Sequence, residues 1–207
     1  MENEWLAWAR RLQGIASTGL HFGQGDYDKE RYAEIAAIAN DMLASLAGVP
    51  VSRIEGLVSD FAKGYATPKV DVRGAVIDRE KILLVRESSD GLWTLPGGYA
   101  DVGMSPGENV VKEIQEEASI EVRATALYGV RHKAKHGYDP DTRDFYKLFF
   151  LCDAVDDSSP KPGPETTEVG YFALDELPPL SRGRVLEADI AAAFAFIENP
   201  QTLALFD

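Results

Sequence analysis

The chain has one cysteine in 207 residues, which excludes an intramolecular disulfide. Cys152 follows Phe149-Phe150-Leu151 and reads as a small core residue of a strand. Histidine is also scarce, and no Cys/His spacing of a zinc site is present. Long apolar runs are missing. The longest candidate, Ala191 to Ile197, is far short of the roughly 20 residues that cross a bilayer. The opening MENEWLAWARRLQG lacks the apolar core of a signal peptide. A soluble cytoplasmic protein with no membrane partner is expected. Cations are few: 21 Lys and Arg stand against 34 Asp and Glu, for a formal net charge of -13. That field disfavours non-specific binding to nucleic acid or anionic lipid. It also repels phosphate substrates, so phosphate chemistry here would need a bound metal and local cations.

Residues 1–66 carry helical periodicity. Trp5, Trp8, Leu12 and Ile15 fall on one face of a first helix. Tyr32, Ile35, Ala39, Met42 and Leu46 repeat the pattern in a second, which Gly48 and Pro50 stop. Ser52 and Glu55 have the spacing of a capping box for a third helix bearing Ile54, Leu57, Val58 and Phe61. Three helices make a marginal core alone, so their apolar faces are expected to pack on something further, with a homodimer favoured. A DNA-reading role is excluded by charge, since residues 1–68 hold six Lys/Arg against nine Asp/Glu, a net of -3.

After Ala66-Thr67-Pro68 the period changes. Val70 to Ile77, Lys81 to Arg86, Val122 to Val130, Phe145 to Cys152 and Val169 to Phe172 read as strands. Asp78-Arg79-Glu80 is a turn, and Asp156 to Pro164 an exposed proline-rich loop. A closing helix spans Glu187 to Ile197, with Leu186, Ile190, Phe194 and Ile197 on its buried side. This order predicts an α+β chain, layered α/β/α about a mixed sheet. The expected domains are a helical dimerisation domain over 1–66 and a second domain over 67–207.

Chemistry concentrates between Leu95 and Ile120. Leu95-Pro96-Gly97-Gly98 is a turn whose glycines let backbone approach a ligand, and a free carbonyl there can add a metal ligand. Ser105-Pro106-Gly107-Glu108 has the residues of a capped helix start. Glu113, Glu116 and Glu117 then lie three and four apart on one helix. Like charges at that spacing repel, and a hard divalent cation such as Mg²⁺ relieves the repulsion. An exposed acidic face, with Lys112 paired to Glu116, is the plainer reading of the helix alone.

These residues resemble the Nudix hydrolases, whose signature is G-x5-E-x7-R-E-U-x-E-E-x-G-U, with U a bulky aliphatic. Laid from Gly98, the match includes Glu113, Ile114, Glu116, Glu117 and Ile120, together with the Leu-Pro-Gly-Gly lead-in. Met104, Lys112 and Ser119 depart from Glu, Arg and Gly. The first two read as one coupled change, because loss of a carboxylate removes the need for a two-pronged guanidinium. WTLPGGYADVGMSPGENVVKEIQEE and YKLFFLC are similar to a bacterial subgroup with a helical N-terminal extension, typified by CDP-choline pyrophosphatase and often labelled ADP-ribose pyrophosphatase.

The resemblance implies a Nudix-type α/β/α sandwich after a helical domain that takes part in a homodimer. It implies Mg²⁺- or Mn²⁺-dependent hydrolysis of a nucleoside diphosphate derivative. Glu113, Glu116, Glu117 and the Gly97 carbonyl would hold metal, with Glu113 or Glu117 accepting a proton. A non-catalytic nucleotide or ADP-ribose sensor is the alternative. Arg73, Arg86 and Lys133, the last within the basic run Arg131 to His136, are candidate phosphate contacts. Glu168 is a candidate extra acid. Tyr99, Tyr138 and Tyr146 are candidate base-stacking rings, though strand aromatics more often belong to the core.

Overall fold

The computed structural model describes residues 4–59, 65–199 and 203–207. Two compact units divide the chain: residues 1–69 with 140–144, and residues 70–139 with 145–207.

In the first unit, α1 (Glu4–Phe22), α2 (Asp26–Ala47) and α3 (Val51–Ser59) follow one another. Gly48 ends α2 in the left-handed conformation that suits glycine, with φ 64°. The expected Ser52 capping box is absent, because α3 begins at Val51 and places Ser52 inside its first turn. The side chains of Leu57 and Val58, and Phe61 as a whole, lie outside the described residues. Leu6, Ala9, Leu43, Ala44 and Ile54 form the small core. The α1 face that packs inward is thus a lean one, with Gln13, Ala16 and Ser17 also buried. Trp5, Trp8, Leu12 and Ile15 share the neighbouring face and are exposed, the two tryptophans by 58% and 48%.

The second unit holds two four-stranded sheets. One has the order β1 (Lys69–Ala75), β6 (Phe145–Ala154), β5 (Val122–His132), β8 (Leu205–Phe206). The other runs β2 (Ile77–Asp78), β3 (Lys81–Glu87), β4 (Trp93–Thr94), with β7 (Thr166–Ala173) also on β3. Strands β5 and β6 pair antiparallel, whereas β5 and β8 pair parallel, so the first sheet is mixed. Arg79 and Glu80 both have positive φ, 48° and 61°, and turn β2 back onto β3 with Asp78 opposite Lys81. Two left-handed residues match the twist of a tight hairpin.

Two helices cover this unit. Helix α4 (Pro106–Ala118) drives Val110, Ile114 and Ala118 into a cluster with Val72, Leu83, Val85 and Ile120. Each such aliphatic side chain contributes about 1.5–3 kcal/mol on burial. Helix α5 (Glu187–Glu198) buries Ile190 and Ala193 against Leu84, Leu95, Tyr128 and Phe149. Ile197 is exposed, contrary to expectation, and Phe196 packs on the core in its place. The short strands β4 and β8 carry no sequence pattern long enough to read.

Candidate active site

Helix α4 starts where its residues dictate. The Ser105 side chain accepts from the Glu108 N–H at 3.2 Å, and Glu108 accepts from the Ser105 N–H at 2.7 Å. Asn109, buried, braces the loop before it: its Oδ1 accepts from the Asp101 N–H at 2.8 Å and its Nδ2 donates to the Ser105 carbonyl at 3.1 Å. Asn109 had no sequence signal beyond its polarity on an inward face.

The turn before the helix is fixed by sterics. Gly97 has φ 144°, and a Cβ there would overlap the Val72 carbonyl. A Cβ on Gly98 would stand 2.8 Å from Glu113 Oε1, so this backbone lies directly against that carboxylate. The Gly97 N–H donates to Glu117 Oε2 at 2.9 Å. The flanking Pro96 and Gly98 carbonyls accept from Gly74 and Val72, while the Gly97 carbonyl takes no backbone donor among the described residues.

Glu117 is buried, and that desolvation pushes its carboxyl up to about 8, although Arg73 and the Gly97 N–H favour its charge. Glu113 is shifted up as well, by burial first and by Glu116 and Glu165 in addition. Two neighbouring carboxylates that cannot both ionise cheaply would be relieved by a nearby positive charge. Oxygen donors of this kind suit a hard divalent ion, so Glu113, Glu117 and the Gly97 carbonyl fit such a group. Glu116 points elsewhere: it pairs with Lys112 at 3.2 Å, and Lys112 also reaches Asp101 at 3.1 Å. Among the described residues no three acidic, His or Cys side chains gather around one point.

The departures from the Nudix signature have local explanations. Asp101 is the carboxylate that Lys112 meets, three residues before Met104. Met104 itself lines an open groove of about 680 Å³ with Val111, Val122 and Ala124. Ser119 adopts the left-handed conformation, φ 56°, in the position where the signature has glycine.

The expected cations are placed differently from one another. Arg73, 4% exposed, is not open to a ligand. It forks onto Asp71 at 3.0 and 2.8 Å and donates to the Leu95 carbonyl at 3.1 Å. Burial opposes its charge, Asp71 more than restores it, and that charge acts through space on Glu113 and Glu117. Lys147 is also buried and shares Asp71, at 2.7 Å. Burial lowers Lys147 to about 8, while Arg73 and Lys147 hold Asp71 down to about 2 against its own desolvation. Arg86 and Glu168 lie opposite each other on β3 and β7 and form an ion pair, so the candidate cation and the candidate extra acid neutralise each other. Lys133 opens a short 3-10 helix (Lys133–Lys135) and sits 5.1 Å from the Phe145 ring centroid. Arg131 and His132 belong to β5, so only part of the basic run is a connection. Tyr138 is buried with its hydroxyl on Asp189 at 2.6 Å, which removes it as a stacking ring. Tyr99 stacks on Phe145, and Tyr146 packs edge-on to His132.

Two further acids, Glu87 and Glu165, act on the site. Glu87, buried and 3.2 Å from Arg184, is shifted up chiefly by burial, and its charge reaches Glu117. The alternation Leu83, Val85, Glu87 on β3 was the available signal. Glu165 bears on both Glu113 and Glu87.

Two domain families match this chain. A NUDIX domain covers residues 68–194, and a domain described as a UDP-X-like, N-terminal oligomerisation domain covers residues 3–58. The chain belongs to the Nudix hydrolase family. It is 40% identical over its full length to a Bacillus subtilis protein, 99% of which is covered, that carries the provisional name ADP-ribose pyrophosphatase YjhB. A crystal structure of an ADP-ribose pyrophosphatase from Streptococcus suis superposes with TM-score 0.62 at 39% identity, covering 68% of this chain and all of the other. A crystal structure of UDP-X diphosphatase superposes with TM-score 0.63 at 28% identity, with both chains covered completely. Nudix hydrolases generally use divalent metal ions. The helical region followed by a mixed-sheet α/β unit agrees with the fold expected from the sequence. Among the described residues no helix is long and apolar enough to cross a membrane.

Proposed function

We propose that this Nudix hydrolase cleaves the diphosphate of a nucleoside diphosphate linked to a second moiety, in the ADP-ribose or CDP-choline class, using Mg²⁺ or Mn²⁺. The observation that carries the reading is the pairing of Glu117 with the Gly97 N–H beside Glu113. It sets two desolvated carboxylates against a glycine turn that leaves a backbone carbonyl open.

Glu113, Glu117 and the Gly97 carbonyl would hold the ion, with Glu116 able to join by releasing Lys112. Bound there, the ion would supply charge neutralisation for the diphosphate and a more acidic water. In the reaction the water oxygen bonds to one phosphorus and the bridging P–O bond breaks. The products are a nucleoside monophosphate and phosphorylated X. Glu113 receives the proton of the attacking water. Arg73 favours the charged forms of both carboxylates and offsets part of the desolvation that raises them. Arg86 and Lys133 are the remaining candidates for meeting phosphate, Arg86 by exchanging Glu168 for the ligand.

The exposed face of Trp5, Trp8, Leu12 and Ile15 supports a homodimer through the N-terminal helices, as does the oligomerisation domain matched there. A cytoplasmic location is in keeping with a nucleotide substrate.

The deciding experiment is a panel of nucleoside diphosphate conjugates incubated with Mg²⁺ and with Mn²⁺, the products resolved by chromatography. Paired monophosphate products that vanish in Glu117→Gln are expected. Tight binding of ADP-ribose with no product from any conjugate would replace the reading with that of a sensor.

A further inference from the structure

The C-terminal end of α4 is completed by a distant segment. A helix leaves its last carbonyls without partners. Here the Ser119 N–H returns to the Gln115 carbonyl at 3.1 Å. The next carbonyls are taken by the loop that precedes β7, more than forty residues on. The Lys161 N–H donates to the Ala118 carbonyl at 2.9 Å, and the Gly163 N–H to the Glu117 carbonyl at 3.1 Å. The Thr166 hydroxyl donates to that same Glu117 carbonyl at 2.8 Å and accepts from the Gly163 N–H at 2.9 Å. Thr166 is buried and lies opposite Glu87 across the β3–β7 ladder, where the register shifts by one residue. Gly163 approaches so closely that a Cβ would overlap the Glu116 carbonyl. Glu117 is therefore held at both ends: its carboxylate by the Gly97 N–H, its backbone by Gly163 and Thr166.

We propose that Thr166 is a positioning residue which, with Gly163, clamps the last turn of α4 and so sets where the Glu117 carboxylate stands relative to the Gly97–Gly98 turn. The proposal rests on the reading of Glu113 and Glu117 as a divalent-cation site. Small displacements of a metal ligand lower affinity, and partners that orient ligands are worth about 10–100-fold in metal binding. Thr166 acts through Glu117 and touches no reacting atom.

The test is Mn²⁺ binding, followed by calorimetry on the full chain, for wild type, Thr166→Val, Thr166→Ala and Thr166→Ser, with Glu117→Gln as control. Thr166→Val keeps the shape and removes the hydroxyl. Its Mn²⁺ dissociation constant is expected to rise about tenfold or more. Thr166→Ala is expected to follow it if the valine does not fold. Thr166→Ser keeps the donor and is expected within threefold of wild type, so the loss follows the hydroxyl and not the change in Tm. Wild-type affinity in the folded hydroxyl-free variant, or equal loss in Thr166→Ser, overturns the clamp alone. If wild type and Glu117→Gln bind Mn²⁺ equally, the cation site itself is wrong and the clamp falls with it.

Discussion

Helices α1 and α4 are both amphipathic, yet they use their apolar stripes in opposite ways. Helix α4 turns Val110, Ile114 and Ala118 inward and leaves its acids at the margin, with Glu117 dragged under cover. Helix α1 turns Leu6 and otherwise small or polar residues inward and presents two tryptophans, a leucine and an isoleucine to solvent. A period of 3.6 residues defines a face; it does not say what covers that face. In α4 the same chain covers it. In α1 the described chain does not, and a second copy is the proposed cover. The burial of one acid in α4 and the exposure of two indoles in α1 are each costly alone, and each cost marks a place where a partner, cation or chain, is expected.

Four experiments would break or sharpen this contrast. The largest effect is expected from Glu117→Gln, which removes the charge of the covered acid. Turnover should fall on the order of 10²–10³-fold, measured as kcat/KM at saturating Mn²⁺; a fall of less than threefold would mean that Glu117 is only structural. Next is Trp8→Glu, a charge placed on the uncovered face. Anchoring aromatics at an interface contribute about 2–4 kcal/mol, so the dimer dissociation constant should rise by more than tenfold, in favour of monomer, in sedimentation equilibrium. An unchanged mass at low micromolar concentration would place the interface elsewhere.

The third concerns pH. The Glu117 carboxyl is raised from an ordinary 4.5 to about 8. Between those values the folded chain binds more protons than the unfolded one, so the stability of metal-free protein falls as pH rises through that window. Glu87 and Glu113 shift in the same direction and add to the slope. Metal-free Tm should therefore drop from pH 5 to pH 8, with a shallower drop in Glu117→Gln or with Mn²⁺ present. A Tm that climbs over this range would contradict the buried-acid account. The smallest effect belongs to Asp101→Asn, which breaks the exposed pair with Lys112. Stability should change by no more than about 1 kcal/mol, and activity by a few-fold at most. A loss as large as that of Glu117→Gln would promote Lys112 and Asp101 to central parts of the site.

Much of this molecule was readable from local pattern. The capped start of α4 follows from Ser105, Pro106 and Glu108 because caps act within one turn of chain. The antiparallel strands β3, β5, β6 and β7 show in their apolar runs, and the carboxylate trio in its spacing. Less readable were groups whose meaning depends on which partners the folded chain brings to them. Arg73 looked like a phosphate cation until Asp71, two residues away, and Leu95 took its donors. Arg86 and Glu168 were separate candidates until strand register set them opposite each other. The segment before β7 reads as a loose proline-rich connection, yet its Gly163, with Thr166 at the start of β7, finishes a helix that ended far upstream.

By itself the sequence determined the helical periods, the capped start of α4, the family and the identity of the acids, because each rests on neighbours within a few residues or on a contiguous motif. Tertiary structure alone decided which acids are desolvated, which cations are consumed by internal pairs and which apolar face is left uncovered. Those properties arise from distances between residues far apart in the chain, and both burial and charge pairing depend on such distances.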